Sequence, residues 1–209
     1  MIDYDATDRQ DETPLVLPCV AAFITRDTEP ERELLVLRPA SGTAQLPAMM
    51  VPAGETPPAT VVRCAGALVG LSSLLKIRRL AVVRERLPDM TRVVLHSTPL
   101  YAGPSFAAPP LRFRMERGMR VSVREWQEEF ARVSYEEYRY DADELKIATH
   151  RSGWLTTDSF SCHIAHHLFH VPVSAAHVTA HGEWVRLSRA EGLKSIHQRW
   201  YERALPRLR

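Results

Sequence analysis

The sequence predicts a mixed α/β (α+β) fold in one domain, and three observations carry that reading. Near the start, two apolar, β-type runs are joined by a short charged turn. In the middle, apolar residues recur at helical spacing. At the end, strand-like stretches give way to an amphipathic helix. Strand and helix signals intermingle along the chain, with no internal repeat and no low-complexity segment.

Each element follows from its residues. Residues 1–13 read as a polar tail rich in acids (Asp3, Asp5, Asp8, Asp11, Glu12). Leu15 to Thr25, LVLPCVAAFIT, is small, apolar and β-branched, as a buried strand would be, with Pro18 confined to its first residues. A turn from Arg26 to Arg32 leads to ELLVLRP, and the two runs make a hairpin. The register of Glu55, Arg63 and Gly70-Leu71 after this hairpin predicts a loop over 47–55 and a helix from about Thr56 to Val69. Lys76–Arg86 and Thr91–Tyr101 flank a Leu87-Pro88-Asp89-Met90 turn and read as a second hairpin. Residues 103–110 are a Pro-rich loop. Val123 to Tyr138 places Trp126, Phe130 and Val133 at i, i+4 and i+7, an amphipathic helix with Ser122 and Glu125 as its capping box. Strands follow around His167–Val173 and Trp184–Leu187. A terminal helix runs from Ser188, capped with Glu191, to about Ala204. The expected organisation is one domain over 14–209 with a helical insertion at about 103–150.

Composition narrows the class. A hydrophobic share of 45% with 25% charged residues makes disorder the wrong default. A formal charge of +2 carries no nucleic-acid signal. Cys19, Cys64 and Cys162 are odd in number and widely spaced, which argues against a disulfide framework and a zinc knuckle. No apolar run approaches the ~20 residues of a membrane span, and the acidic N-terminus is unlike a secretory signal. The expected location is the cytoplasm.

The most informative segment is Leu46–Leu71. Glu55 is followed by seven residues and Arg63, Gly70-Leu71 closes the stretch, and Leu46-Pro47 and Gly54-Glu55 form its lead-in. In register and in order, these residues resemble the Nudix box, G-x5-E-x7-R-E-U-x-E-E-x-G-U, with Ala65 at the first bulky apolar position. The resemblance implies a Nudix-type mixed sheet between helices. A looser likeness downstream, GWLTTDSFSCHIAHHLFHVPV and HGEWVRLSRAEGL, is similar to the coenzyme A diphosphatase branch, which also carries a helical insertion. Thr157 stands where that branch has proline.

The departures from the box bear on function. Met49 replaces its first glycine, Cys64 the glutamate after the arginine, and Ala67-Leu68 the glutamate pair. At i, i+3 and i+4 those three positions share one helix face. Mg²⁺ needs several oxygen ligands in near-octahedral array, and a thiol, a methyl and an isobutyl group supply none. The resemblance therefore implies a Nudix-fold protein with a degenerate box. It reads as a non-catalytic nucleotide-binding or interaction and sensor module with no metal site and no cofactor. The alternative is a Nudix-type hydrolase of a nucleoside diphosphate-linked substrate that uses relocated acids with Mg or Mn. Its candidate acids are Glu55, Glu85 and Glu183.

Other residues frame the partners. Arg38, Arg63, Arg78 and Arg79 are candidates to face an anionic ligand, because guanidinium forks suit phosphate; Arg63 also has a structural use, pinning the box loop to its helix. His163, His166, His167 and His170 have metal-like spacing on a helix. The β-like continuation LFHVPV favours a strand, which sends His167 to the opposite face from His166 and His170. Trp200, Tyr201 and Leu205 on a basic terminal helix leave apolar surface, from which a homodimer is expected.

Overall fold

The computed structural model describes residues 15–39, 43–70, 76–141, 144–174, 182–190 and 192–208, with side chains at 138–148 outside the described set. The acidic tail and two sequence landmarks, Leu71 and Glu191, lie outside the described residues. In chain order the elements are β1 (Leu17–Arg26), β2 (Glu33–Val36), β3 (Ala48–Met50), α1 (Pro57–Val69), β4 (Arg78–Arg86), β5 (Thr91–Val94), β6 (Thr98–Tyr101) and β7 (Pro110–Met115). There follow β8 (Arg120–Gln127), β9 (Phe130–Asp141), β10 (Glu144–Thr156), β11 (Phe160–Ser161), β12 (His163–Val173), β13 (Glu183–Arg186) and α2 (Ser195–Leu208). The chain divides into two compact units, one of residues 17–86 with 164–209, the other of residues 1–16 with 87–163.

The first unit is a mixed sheet in the order β13-β2-β1-β12-β4, with β3 also paired to β1. β1 and β12 run parallel from Leu17↔Ile164 to Arg26↔Val173, and β2 pairs antiparallel with β1 at Thr25↔Leu34. The first hairpin therefore forms as its sequence indicates. Strand alternation sorts the side chains of β1 onto two faces. Ala21 and Phe23 join Trp200, Tyr201, Ala204 and Leu208 of α2 in one core. Val20, Ala22 and Ile24 join Val61, Ala65 and Val69 of α1 in another. Each large side chain so buried stabilises the unit by roughly 1.5–3 kcal/mol. The sheet is thus sandwiched between two helices.

Both helices have visible local causes. Thr56 caps α1 by accepting from the Ala59 N–H, and prolines fill its first turn, where a missing N–H leaves no bond unmade. Gly70 ends it in the left-handed region at φ 69°, donating its N–H to the Gly66 carbonyl. α2 begins at Ser195, later than the expected Ser188. Ser188 lies within the short 3₁₀ turn Leu187–Arg189, where its N–H and hydroxyl both donate to the Glu31 carboxylate. Trp200, Tyr201 and Leu205, read from the sequence as uncovered surface, pack on the unit's own sheet.

The second unit is an antiparallel sheet ordered β11-β5-β8-β9-β10-β6-β7 around Val94, Leu100, Met115, Val123, Val133 and Leu155. It overturns two expectations. The helix over Val123–Tyr138 is instead the hairpin β8–β9, paired from Gln127↔Phe130 to Ser122↔Ser134, so Ser122 is a strand residue and not a cap. Val121 and Val123 bury at period two, and the helical spacing of Trp126, Phe130 and Val133 spans a turn. The inserted segment is accordingly β-sheet and not helical, which removes one element of the coenzyme A diphosphatase likeness. The hairpin expected across Leu87–Met90 also does not form, because β4 joins the first sheet and β5 the second. The Leu87 N–H instead donates to the Cys162 carbonyl at 2.7 Å, so the two ends of the inserted segment lie side by side.

Candidate functional site

The loop and helix that carry the box fold back on each other through Glu55. Its carboxylate accepts from the Arg63 guanidinium at 2.9 and 3.2 Å and from the Thr60 hydroxyl at 3.0 Å. The Arg63 hydrogen bond holds the Glu55 carboxyl below its ordinary range, so the group is ionised at neutral pH. Arg63 thus pins the loop to the helix. Thr60, Val61, Ala65 and Val69 turn inward, leaving Ala67 exposed and Cys64 and Leu68 half-buried on the side where metal-binding carboxylates would stand. Burial pushes the Cys64 thiol up, with Arg63 opposing, which favours the neutral thiol.

The first unit thus sets an apolar helix face behind a Glu–Arg clasped loop and packs it on a sheet whose β1 and β12 are parallel.

Comparisons with known proteins accompany this geometry. No protein-family profile matches the chain, and no curated protein does. Among solved structures, the Nudix domain of Shewanella oneidensis NrtR, complexed with ADP ribose, is similar at 14% identity and a TM-score of 0.46, over 100% of both chains. A C. elegans Ap4A hydrolase is similar at 10% identity and a TM-score of 0.45, over 93% of this chain and 98% of the other. A binary complex of a C. elegans Ap4A hydrolase gives 9% identity and a TM-score of 0.40, over 92% and 98%.

The three candidate acids are held in three different pairs. Glu55 is clasped by Arg63. Glu85, on β4, meets His166 Nε2 at 2.7 Å, and the His166 ring lies 4.4 Å from that of Trp200, on the α2 side of the sheet. Glu183, at the start of β13, pairs with Arg38, just past the end of β2, and both are half-exposed. No group of three or more His, Cys, Asp or Glu able to hold a metal occurs among the described residues. The four arginines are equally dispersed. Arg38 and Arg63 have those carboxylate partners, Arg78 donates to the Arg207 carbonyl at the end of α2, and Arg79 lies near His167.

The histidine segment is the strand the sequence indicated. His166 and His170 are buried on the α2 face, and His170 Nε2 bonds the Thr25 hydroxyl at 2.8 Å. Burial lowers His167, with Arg79 adding to the effect. Burial lowers His170 to about 4, and does the same to His197 on α2. Sequence reasoning missed His197, whose Nδ1 accepts the Leu46 N–H at 3.0 Å and whose ring stacks on Trp200. Nothing in its local pattern marks it, since its partner is 151 positions away. Sequence reasoning also missed a cleft of about 320 Å³ between β4 and α2, lined in part by Val83, Glu85, Arg199 and Trp200.

Proposed function

We propose that the chain is a non-catalytic Nudix-fold module that binds a nucleotide-type small molecule, with a sensor or interaction role in place of diphosphate hydrolysis. The observation that carries the proposal is the α1 face of Cys64, Ala67 and Leu68, beside a Glu55 already engaged by Arg63. A metal held at such a face would neutralise the diphosphate and position the attacking water. Without oxygen ligands that contribution is absent, and each 1.36 kcal/mol of lost transition-state stabilisation is tenfold in rate.

ADP-ribose is the probe to use, because the NrtR Nudix domain is complexed with it. Calorimetry in EDTA should show saturable binding, and phosphorus NMR with Mg²⁺ or Mn²⁺ should show no turnover above background. Metal-dependent turnover abolished by Glu55→Gln or Glu85→Gln would replace the module with the relocated-acid hydrolase. Arg38, Arg63, Arg78 and Arg79 are the ligand-facing candidates to test by substitution.

A cytoplasmic location accords with three cysteines that no disulfide joins, and no described helix is long and apolar enough to cross a membrane. A homodimer would have to form through a surface other than Trp200, Tyr201 and Leu205. Sedimentation across the micromolar range tests it.

A further inference from the structure

The second unit has a cavity of its own, of about 290 Å³, lined by Phe106, Glu129, Thr156, Thr157 and Asp158. Strand register explains how these residues meet. Phe130 of β9 pairs with Thr156 of β10, so their side chains share one face of the sheet, while Ala131 and Leu155 beside them turn to the core on the other. The Thr157 N–H donates to the Glu129 carbonyl at 2.8 Å, which ties the β8–β9 turn to the 3₁₀ turn Thr157–Ser159. Glu129 and Asp158 thereby reach the same cavity.

Phe106 supplies the apolar wall. Its loop is closed by its own bonds, from the Ala102 N–H to the Pro109 carbonyl and from the Ala108 N–H to the Ser105 carbonyl, each at 3.0 Å. The ring packs edge-on to Phe130 and Tyr101, with centroids 4.9 and 6.3 Å away. The residue is nevertheless 65% exposed, so ring surface is left for a ligand.

The charge at this cavity is of one sign. Both carboxylates are exposed, and among the described residues neither makes an ion pair. No lysine, arginine or histidine lines the cavity; Arg132, next on that face of β9, does not reach it. The larger cavity of the first unit, about 510 Å³ beside Leu187 and Leu208, is a useful contrast. There Arg32 is bound to Asp27 and Glu31 to Ser188, so the charged groups are already matched. The aromatic wall selects among cations. A bare metal ion needs oxygen ligands on all sides, whereas an ammonium group on a hydrocarbon stem uses carboxylates, hydroxyls and ring together. About 290 Å³ matches the smallest small-molecule sites.

We propose that this cavity binds a small aliphatic diamine or polyamine, with ammonium groups on the Glu129 and Asp158 carboxylates and methylenes against the Phe106 ring. The site is independent of the box face and of the nucleotide reading above.

The test uses the full chain and putrescine, measured by calorimetry at two salt concentrations, with Mg²⁺ for comparison. Putrescine should bind once per chain with a dissociation constant of about 1 mM or tighter, and more weakly at the higher salt. Mg²⁺, of equal charge but without a stem, should bind less tightly. Glu129→Gln with Asp158→Asn should weaken putrescine by about tenfold or more, and Phe106→Leu by about threefold, neither lowering the melting temperature. Glu116→Gln with Glu137→Gln, an equal charge change elsewhere in the unit, should leave binding intact. No saturable binding, or binding that survives either the carboxylate pair or the Phe106 change, overturns the inference. So does Mg²⁺ binding more tightly than putrescine through the same carboxylates. A capped dilysine peptide, of equal charge, that binds more tightly than putrescine would assign the surface to a protein partner and overturn it too.

Discussion

His197 accepts the backbone N–H of Leu46 at Nδ1, so that nitrogen carries no proton in the folded state. Burial, helped by Lys194 and His166, holds its pKa at about 4, and burial does the same for His170. The sign follows directly. Between the ordinary value of 6.5 and about 4, the unfolded chain takes up protons that the folded chain refuses. Stability is therefore full above pH 6.5 and falls as pH drops toward 4, by at most on the order of 3 kcal/mol per histidine. Urea unfolding of wild type and His197→Gln at pH 7 and pH 4.5 checks this. The variant should be weaker at pH 7 and should lose less between the two pH values. An equal loss in both proteins would remove His197 as the source.

At the scale of elements, α1 is the segment most legible in the sequence. Its cap Thr56, its prolines and its terminal Gly70 each have a local reason, and the register of Glu55 with Arg63 specifies how the loop meets the helix. Restoring oxygen to its outer face has a defined consequence. The triple change Cys64→Glu, Ala67→Glu, Leu68→Glu brings three like charges together, two at half-buried positions, so the metal-free variant should melt lower than wild type. Added Mg²⁺ or Mn²⁺ should raise that melting temperature while leaving wild type unmoved. If metal shifts neither protein, the α1 face does not form a cation site even when supplied with carboxylates. The β8–β9 hairpin was the least legible element. Its turn is Glu128-Glu129, with Glu128 at φ 48°, where a hairpin would ordinarily advertise itself with Asn or Gly. Glutamates read as helix formers, and the apolar spacing across the turn agreed with them. Glu128→Gly should therefore stabilise the protein by about 0.5–1 kcal/mol, seen as a higher denaturation midpoint. An unchanged or lower midpoint would mean the strain there is already relieved by neighbours.

At the scale of the whole molecule, the site is less legible than the fold, because its contacts are long-range. Nothing local in RRLAVVRER announces that Glu85 meets His166, or that Val83 and Glu85 line a cleft with Arg199 and Trp200. The inserted unit has its own apolar core, so residues 87–163 expressed alone should give a cooperative melt and dispersed amide resonances. A featureless spectrum would refute that. The bond between Leu87 and Cys162 adds a kinetic consequence. The parallel pairing of β1 with β12 joins distant stretches of chain, and the Thr25–His170 bond between them spans 145 positions. If the inserted segment closes first, its touching ends remove about half of that span from the loop still to be closed. Each halving of a loop lowers its closure cost by about 0.6 kcal/mol, which is close to a threefold gain in folding rate if closure is complete in the transition state. The insertion would then act as a shortcut in the search, and weakening its core with Val94→Ala should slow the assembly of a sheet to which that residue does not belong.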